Sequence, residues 1–200
     1  MERRKLVVST GNKHKVDEIK KILSDLDIEV LSKNDAAIED FDVIEDGNTL
    51  EDNSIKKAKA LADRTNFMII ADDSGLFVNA LNGEPGVYSS RYAGEDGNDA
   101  KNNIKLLENL KDKEDRSAAF KTVITLITED KKLYTVEGIC PGTIGFEPSG
   151  DNGFGYDPLF IPEGYNETFA QLGEEIKNKI SHRALALENL KIMLKDIMED

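Results

Sequence analysis

The fold is decided by residues 67–75, which read Phe-Met-Ile-Ile-Ala-Asp-Asp-Ser-Gly. Five consecutive apolar residues predict a buried β-strand, because short uninterrupted runs are typical of strands covered on both faces. Asp72 and Asp73 directly follow the run, where α/β sheets place functional side chains. Paired carboxylates suit a hard cation such as Mg²⁺ or the orientation of an attacking water, and an ordinary Asp-Gly turn is the equally weighted alternative.

Helix and strand patterns alternate on both sides of this stretch. Before it, we expect two strands and two helices, at residues 5–9, 28–31, 15–26 and from the N-cap Thr49 onward. After it, we expect glycine-rich turns around a strand, a helix, an antiparallel strand pair and a last helix, at residues 76–78, 98–110, 118–128, 133–140 and 181–198. Ile104, Leu107 and Leu110 form the predicted apolar face of the helix at 98–110. This order predicts a mixed α/β class with parallel βα units first and antiparallel strands later.

Composition limits the function classes. The chain has 200 residues, 26 Lys and Arg, 39 Asp and Glu, and a net charge of −13, so generic binding to nucleic acids or anionic membranes is disfavoured. A single cysteine, Cys140, excludes an internal disulfide and a cysteine-rich zinc site. The longest apolar run has only the five residues 67–71, too few to span a membrane, and the apolar run at residues 6–8 is too short for a signal peptide. We therefore expect a single domain over residues 1–200, without a linker, in the cytoplasm.

A candidate phosphate site follows the first predicted strand, at Thr10-Gly11-Asn12-Lys13-His14-Lys15. A short glycine-containing turn before a helix leaves backbone N–H groups free to bind phosphate, and the two lysines add positive charge. A tight βα turn with solvated lysines explains the same residues, and it is the favoured interpretation when the motif stands alone.

Two further segments combine unusual residue types. Phe154-Gly155-Tyr156-Asp157-Pro158 places two aromatic rings in a glycine-rich loop, where they can stack on a planar base or simply cover the core. Ser181 is explained as the N-cap of the last helix. His182 and Arg183 follow it, and cation-capable residues at a helix N-terminus oppose the helix dipole, which favours a functional interpretation.

Five segments occur in one order: TGNxxKxxE at 10–18, EDGxTxEDNxxxKA at 45–58, ADDSGLxVxALxGxPGxYSxRYAG at 71–94, GFGYDPxF at 153–160 and ISHR at 180–183. Together they closely resemble the inosine triphosphatase family, also called the Ham1 family, from residue 5 to about 190. The resemblance implies an elongated mixed β-sheet in two lobes flanked by helices, with a central cleft, and a homodimer. It also implies hydrolysis of ITP, dITP and XTP to the monophosphate and pyrophosphate, with Mg²⁺, or Mn²⁺ as the alternative metal, which removes deaminated purines from the nucleotide pool.

The resemblance also assigns residues. Asp73 is the expected catalytic carboxylate that activates water, and Lys15 and Lys57 are expected to act on the triphosphate. Asp73, Asp72 and Glu45 are the expected metal ligands. The remaining expected contacts to the nucleotide are Thr10, Gly11, Asn12, Lys13, His14, Ser74, Phe154, Gly155, Tyr156, Asp157, Lys177, His182 and Arg183.

Two other function classes remain as alternatives. A Maf-type pyrophosphatase has a related architecture and acts on other nucleotides, but the segments at 154–158 and 181–183 argue against it. A nucleotide-binding sensor without activity fits the net charge equally well. Against the sensor stands the retention of Asp72 and Asp73 together with Lys15 and Lys57, because binding alone gains little from paired acids beside phosphates.

Overall fold

The computed structural model describes residues 3–10, 13–39, 41 and 43–199. Within them the strands are β1 (Arg4–Val8), β2 (Ile28–Ser32), β3 (Met68–Val78), β4 (Pro85–Gly86), β5 (Ser117–Ile127), β6 (Leu133–Ile144) and β7 (Phe160–Pro162). The α-helices are α1 (Lys13–Ile22), α2 (Leu50–Ala62), α3 (Asp99–Asn109), α4 (Phe169–Leu172), α5 (Glu174–Ile180) and α6 (His182–Glu199).

The strands form one mixed sheet in the order β2-β1-β3-β5-β6-β7, with β4 paired to β3. β1 runs parallel to both β2 and β3, whereas β4 is antiparallel to β3 and β7 is antiparallel to β6. A short turn joins β5 to β6, which are neighbours in the sheet, as a hairpin requires. The predicted class, with parallel units first and antiparallel strands later, is confirmed.

The chain divides into two compact units. The first comprises residues 1–73, 123–137 and 186–200, and the second comprises residues 74–122 and 138–185. In the first unit, alternate residues of the parallel strands face opposite sides of the sheet: Leu6, Val8, Met68 and Ile70 pack with α1 and α6, and Val7, Ile69 and Ala71 pack with α2. The second unit has its own core, which includes the rings of Phe120, Phe160 and Phe169.

Helix starts agree with the capping residues of the sequence. The Thr49 side chain accepts a hydrogen bond from the Asp52 N–H at 3.0 Å, which confirms it as the N-cap of α2. Ser181 does the same for α6, since its hydroxyl accepts from the Ala184 N–H at 3.2 Å. No helix among the described residues has both the length and the apolar character that a transmembrane span requires.

The region after residue 71 corrects the sequence prediction. β3 continues without interruption from Met68 to Val78, so Asp72 and Asp73 lie inside a strand rather than after one. The strand is parallel to β1 over residues 68–70, pairs with β4 at residues 76–77 and has β5 as its other neighbour in the sheet. Gly75 makes the close pairing possible, because a Cβ there would collide with the Gly86 carbonyl group.

Candidate active site

Asp72 and Asp73 are neighbours in β3, and successive side chains of a strand point to opposite faces of the sheet. Asp72 lies on the face covered by α1, where its Oδ2 accepts a hydrogen bond from Lys15 Nζ at 3.1 Å. Asp73 lies on the face covered by α2. The two acids therefore belong to different groups of side chains, which adjacency in the sequence alone does not indicate.

Asp73 is held by α2 through both of its carboxylate oxygens. Lys57 Nζ lies 3.0 Å from Oδ1, and Asn53 Nδ2 donates to Oδ2 at 3.2 Å. Asn53 and Lys57 are four residues apart, so they occupy the same face of the helix on successive turns. Only 13% of the Asp73 side chain is exposed, which fixes the carboxylate in a partly desolvated position.

The loop before α2 contributes a second carboxylate. Glu45 Oε2 lies 3.0 Å from the same Lys57 Nζ that contacts Asp73. Gly47 in this loop donates its N–H to Asn53 Oδ1 at 2.8 Å. This approach needs a glycine, since a Cβ at position 47 would lie 2.6 Å from that oxygen. Asn53 thus connects the loop that carries Glu45 to Asp73.

Burial and charge shift the pKa values of the central pair. Burial raises the pKa of Asp73, and although Lys57 and the Asn53 amide lower it, the pKa stays above its usual value. Burial lowers the pKa of Lys57, but the carboxylates of Asp73, Glu45 and Asp72 outweigh this effect and the pKa lies above its usual value. Lys57 therefore remains a cation, and Asp73 is a stronger base than an exposed aspartate.

The donor chemistry of this site fits a hard divalent cation. Carboxylate oxygens of Glu45 and Asp73 both lie 3.0 Å from one ammonium group, so two hard oxygen ligands already face a common positive charge. Among the described residues no three His, Cys, Asp or Glu side chains form a metal-binding group by themselves. Mg²⁺ does not need three, because it is usually held by one or two carboxylates, phosphate oxygens and water. Asp72 is paired with Lys15 instead, so a role for it at the same ion stays a prediction.

The expected phosphate turn is described only in part. Thr10 donates its N–H to the Val8 carbonyl at 2.9 Å at the end of β1, and Lys15 lies in the first turns of α1. Gly11 and Asn12 lie outside the described residues, as do the side chains of Lys13 and His14. Phosphate binding by this turn therefore stays a prediction.

In the second unit, Asp157 organises the loop at 153–157. Its buried carboxylate forms an ion pair with Lys177, and Oδ2 also accepts the Phe154 N–H at 2.9 Å. Gly153 has a φ of +82°, and a Cβ there would collide with the same carboxylate. The ammonium of Lys177 lies 4.3 Å from the centroid of the Phe154 ring, while 60% of Phe154 is exposed. Asp157 thus holds an exposed aromatic ring next to a largely buried lysine.

The other expected contacts of the second unit have varied surroundings. Ser74 shares a hydrogen bond of 2.7 Å with Thr122. The Tyr156 hydroxyl donates to the Ser89 carbonyl at 2.8 Å, and Gly155 donates its N–H to Asp99 at 2.7 Å. His182 is buried and stacks on Phe120 with ring centroids 4.7 Å apart, and Arg183 is half-buried in the first turn of α6.

Sequence reasoning gave Asn53 no role. Its side chain is 1% exposed, and it contacts both Asp73 and the Glu45 loop. The available signal was its helical spacing: Asn53 lies four residues before Lys57 and one turn after the N-cap. An amide at such a position of a helix is unfavourable unless it finds partners.

Comparison with known proteins identifies the family of this chain. The Ham1 family model matches residues 6–193. A dITP/XTP pyrophosphatase from Clostridium perfringens is 49% identical over 98% of this chain and 100% of its own, and one from Haemophilus influenzae is 47% identical over 96% and 100%. Among solved structures, the Ham1 protein of Staphylococcus aureus has a TM-score of 0.89 at 42% identity, covering 96% of this chain and 99% of its own. A HAM1 protein from Coxiella burnetii also has a TM-score of 0.89, at 41% identity over 96% and 99%. The resemblance expected from the sequence motifs is confirmed, and the chain belongs to the Ham1 family.

Proposed function

We propose that this protein hydrolyses the triphosphates of deaminated purines, dITP, ITP and XTP, to the nucleoside monophosphate and pyrophosphate. It is a nucleoside triphosphate pyrophosphatase, as its relatives named dITP/XTP pyrophosphatases are. The observation that carries the proposal is the Asp73 carboxylate, which is partly desolvated and held at one oxygen by Lys57 and at the other by Asn53. Paired carboxylates and lysines of this kind favour catalysis over a sensor that only binds.

The reaction needs a water directed at the α-phosphorus and a site for the charge of the leaving pyrophosphate. Asp73 accepts a proton from that water or orients it, and its raised pKa improves it as a base near neutral pH. Lys57 and Lys15 neutralise phosphate oxygens, which stabilises the negative charge that develops on the leaving group. The P–O bond between the α-phosphorus and the bridging oxygen breaks, and pyrophosphate leaves with that bridging oxygen.

Magnesium dependence is part of the proposal. Glu45 and Asp73 would hold the ion, because their oxygens face one positive charge in the structure. When bound, Mg²⁺ supplies charge neutralisation on the triphosphate. Mn²⁺ has the same preference for oxygen ligands and is the alternative.

Base recognition is assigned to the loop at 153–157 and to the start of α6. Phe154 offers an exposed ring for stacking, next to Lys177. Hypoxanthine and xanthine carry a 6-oxo acceptor, whereas adenine carries a 6-amino donor, so a donor such as Arg183 favours the first two. A donor facing a donor would cost roughly 1–3 kcal/mol with adenine. Arg183→Ala should therefore narrow the preference for ITP over ATP, and an unchanged ratio of kcat/KM values would remove Arg183 from base recognition.

The decisive experiment measures turnover of dITP, ITP, XTP, GTP, ATP, UTP and CTP with and without Mg²⁺, with pyrophosphate and orthophosphate scored separately. Pyrophosphate from dITP, ITP and XTP alone, abolished by a chelator, is the expected result. Orthophosphate as the product would mean that a different bond breaks. Hydrolysis of pyrimidine nucleotides instead would favour the Maf-type alternative. Binding of ITP by folded protein without any turnover would favour the sensor.

A homodimer, which the family resemblance implies, and the cytoplasmic location expected from the sequence complete the proposal. Light scattering coupled to gel filtration tests the first, with twice the chain mass of 22.2 kDa as the expected result. Cell fractionation tests the second.

A further inference from the structure

We propose that Asn53 is a positioning residue for the reaction, which fixes the Asp73 carboxylate and braces the loop that carries Glu45. This inference rests on the proposed function, because it assigns Asn53 a role through Asp73. Asn53 itself is not expected to touch the nucleotide.

The first step of the argument is the way the carboxylate is held. Lys57 Nζ donates to Oδ1 at 3.0 Å and Asn53 Nδ2 donates to Oδ2 at 3.2 Å, so two side chains of α2 hold the Asp73 carboxylate. One contact would leave the carboxylate free to rotate about its Cβ–Cγ bond, whereas two contacts from one rigid helix define its plane. Each oxygen has a further lone pair to offer, which is what a proton acceptor or an oxygen ligand needs.

The second step is the requirement for an amide. Asn53 donates through Nδ2 to Asp73 and at the same time accepts through Oδ1 from the Gly47 N–H at 2.8 Å. Aspartate at position 53 would keep the acceptor but lose the donor, and an aliphatic residue would lose both. Since the side chain is 1% exposed, water does not readily replace either partner.

The third step separates this role from an ordinary contribution to folding. Ser54 is the next residue of α2, it is also fully buried, and its hydroxyl is hydrogen-bonded to Thr125 in β5. It provides a matched control, because it ties the same turn of the helix to the sheet without contacting Asp73.

The experiment compares Asn53→Ala, Asn53→Asp and Ser54→Ala with the wild type, using pyrophosphate release from ITP and melting temperature. Asn53→Ala should lower kcat about tenfold to a hundredfold, the usual range for losing a buried hydrogen bond to a charged group, with an unchanged KM. Asn53→Asp should lower kcat at least as much, although it keeps the acceptor for Gly47. Ser54→Ala should lower the melting temperature while it leaves kcat at the wild-type value.

A double-mutant cycle with Asp73→Asn provides a readout that a purely structural role would not move. If Asn53 acts through Asp73, Asn53→Ala should have almost no further effect on the residual single-turnover rate of Asp73→Asn. A full, additive loss in that background would overturn the inference, as would folded Asn53→Asp protein with wild-type kcat. Wild-type protein that releases no pyrophosphate would instead overturn the proposed function, so the two failures are distinguishable.

Discussion

Asp73 and Asp157 are both aspartates that are largely shielded from solvent and face a lysine, yet their surroundings differ. Asp73 uses its two oxygens separately, one for Lys57 and one for Asn53. Asp157 uses a single oxygen for both Lys177 and the backbone of Phe154, and its side chain is 4% exposed against 13% for Asp73. The contacts of Asp73 orient its carboxylate, whereas the contacts of Asp157 stabilise the conformation of the loop at 153–157.

The difference indicates how a buried charge serves chemistry or structure. The lysine beside Asp73 is shared with Glu45. Burial raises the pKa of Asp73, so the fold keeps the Asp73 carboxylate ionised at a cost in desolvation free energy. Such a cost is typical of functional sites. Asp157 instead stabilises the positive-φ turn at Gly153 and the orientation of Phe154.

The largest expected effect is that of Asp73→Asn on turnover. Loss of the base should lower kcat by at least about a hundredfold. The melting temperature at pH 7 should change little. A carboxyl group whose folded pKa is raised contributes stability at pH values below its unfolded pKa and loses it as the pH rises, so at pH 7 the ionised side chain opposes folding, and removing this cost offsets the lost contacts with Lys57 and Asn53. Enzyme assays and thermal melts at pH 7 check both parts. Near-normal turnover by the folded variant would remove Asp73 from catalysis.

Asp157→Asn should show the reverse pattern, a large loss of folding stability with a smaller effect on kcat than Asp73→Asn has. The substitution leaves the Lys177 ammonium buried without its carboxylate, and breaking a buried ion pair in this way costs about 3 kcal/mol of folding stability. Urea unfolding measures this loss. The matched control is the double variant Asp157→Asn/Lys177→Met, which should recover part of the stability because neither charge remains. If Asp157→Asn is as stable as the wild type, the contrast between the two aspartates is wrong.

The outline of the fold was predictable because its signals are local. The caps Thr49 and Ser181 and the alternation of apolar runs and helical periods determine most elements within a few residues. The continuity of β3 was not predictable, because Asp72-Asp73-Ser74-Gly75 interrupts the apolar run and the strand pairs with segments later in the chain, β4 and β5. The sequence analysis also missed the short helices α4 and α5, because four and seven residues are too few to show a helical period.

Buried amides explain a second kind of error. The periodicity of α3 predicted that Ile104 faces the core, but Ile104 is 58% exposed, whereas Asn102 is 2% exposed. Asn102 accepts the Ala93 N–H at 2.8 Å and donates to the Ser90 carbonyl at 3.0 Å, so its amide fastens a loop to the helix. Asn53 does the same at the candidate site. Hydrophobic patterns cannot identify such residues, because the partners are polar groups outside the helix that carries the amide.

The smallest effect should come from Phe154→Ala, which lies on the same loop as Asp157. Phe154 is 60% exposed, so its removal should leave the melting temperature unchanged within about 1 °C, as is usual for surface substitutions. Loss of stacking should raise KM for ITP about fivefold to tenfold, near the lower end of the energy of a base–aromatic stack. Steady-state kinetics with thermal melts check the pair of outcomes. Because Asp157 fixes the Phe154 backbone, Asp157→Asn should also raise KM for ITP, but only together with a loss of stability. An unchanged KM in Phe154→Ala would mean that this loop stabilises the second unit and does not bind the base.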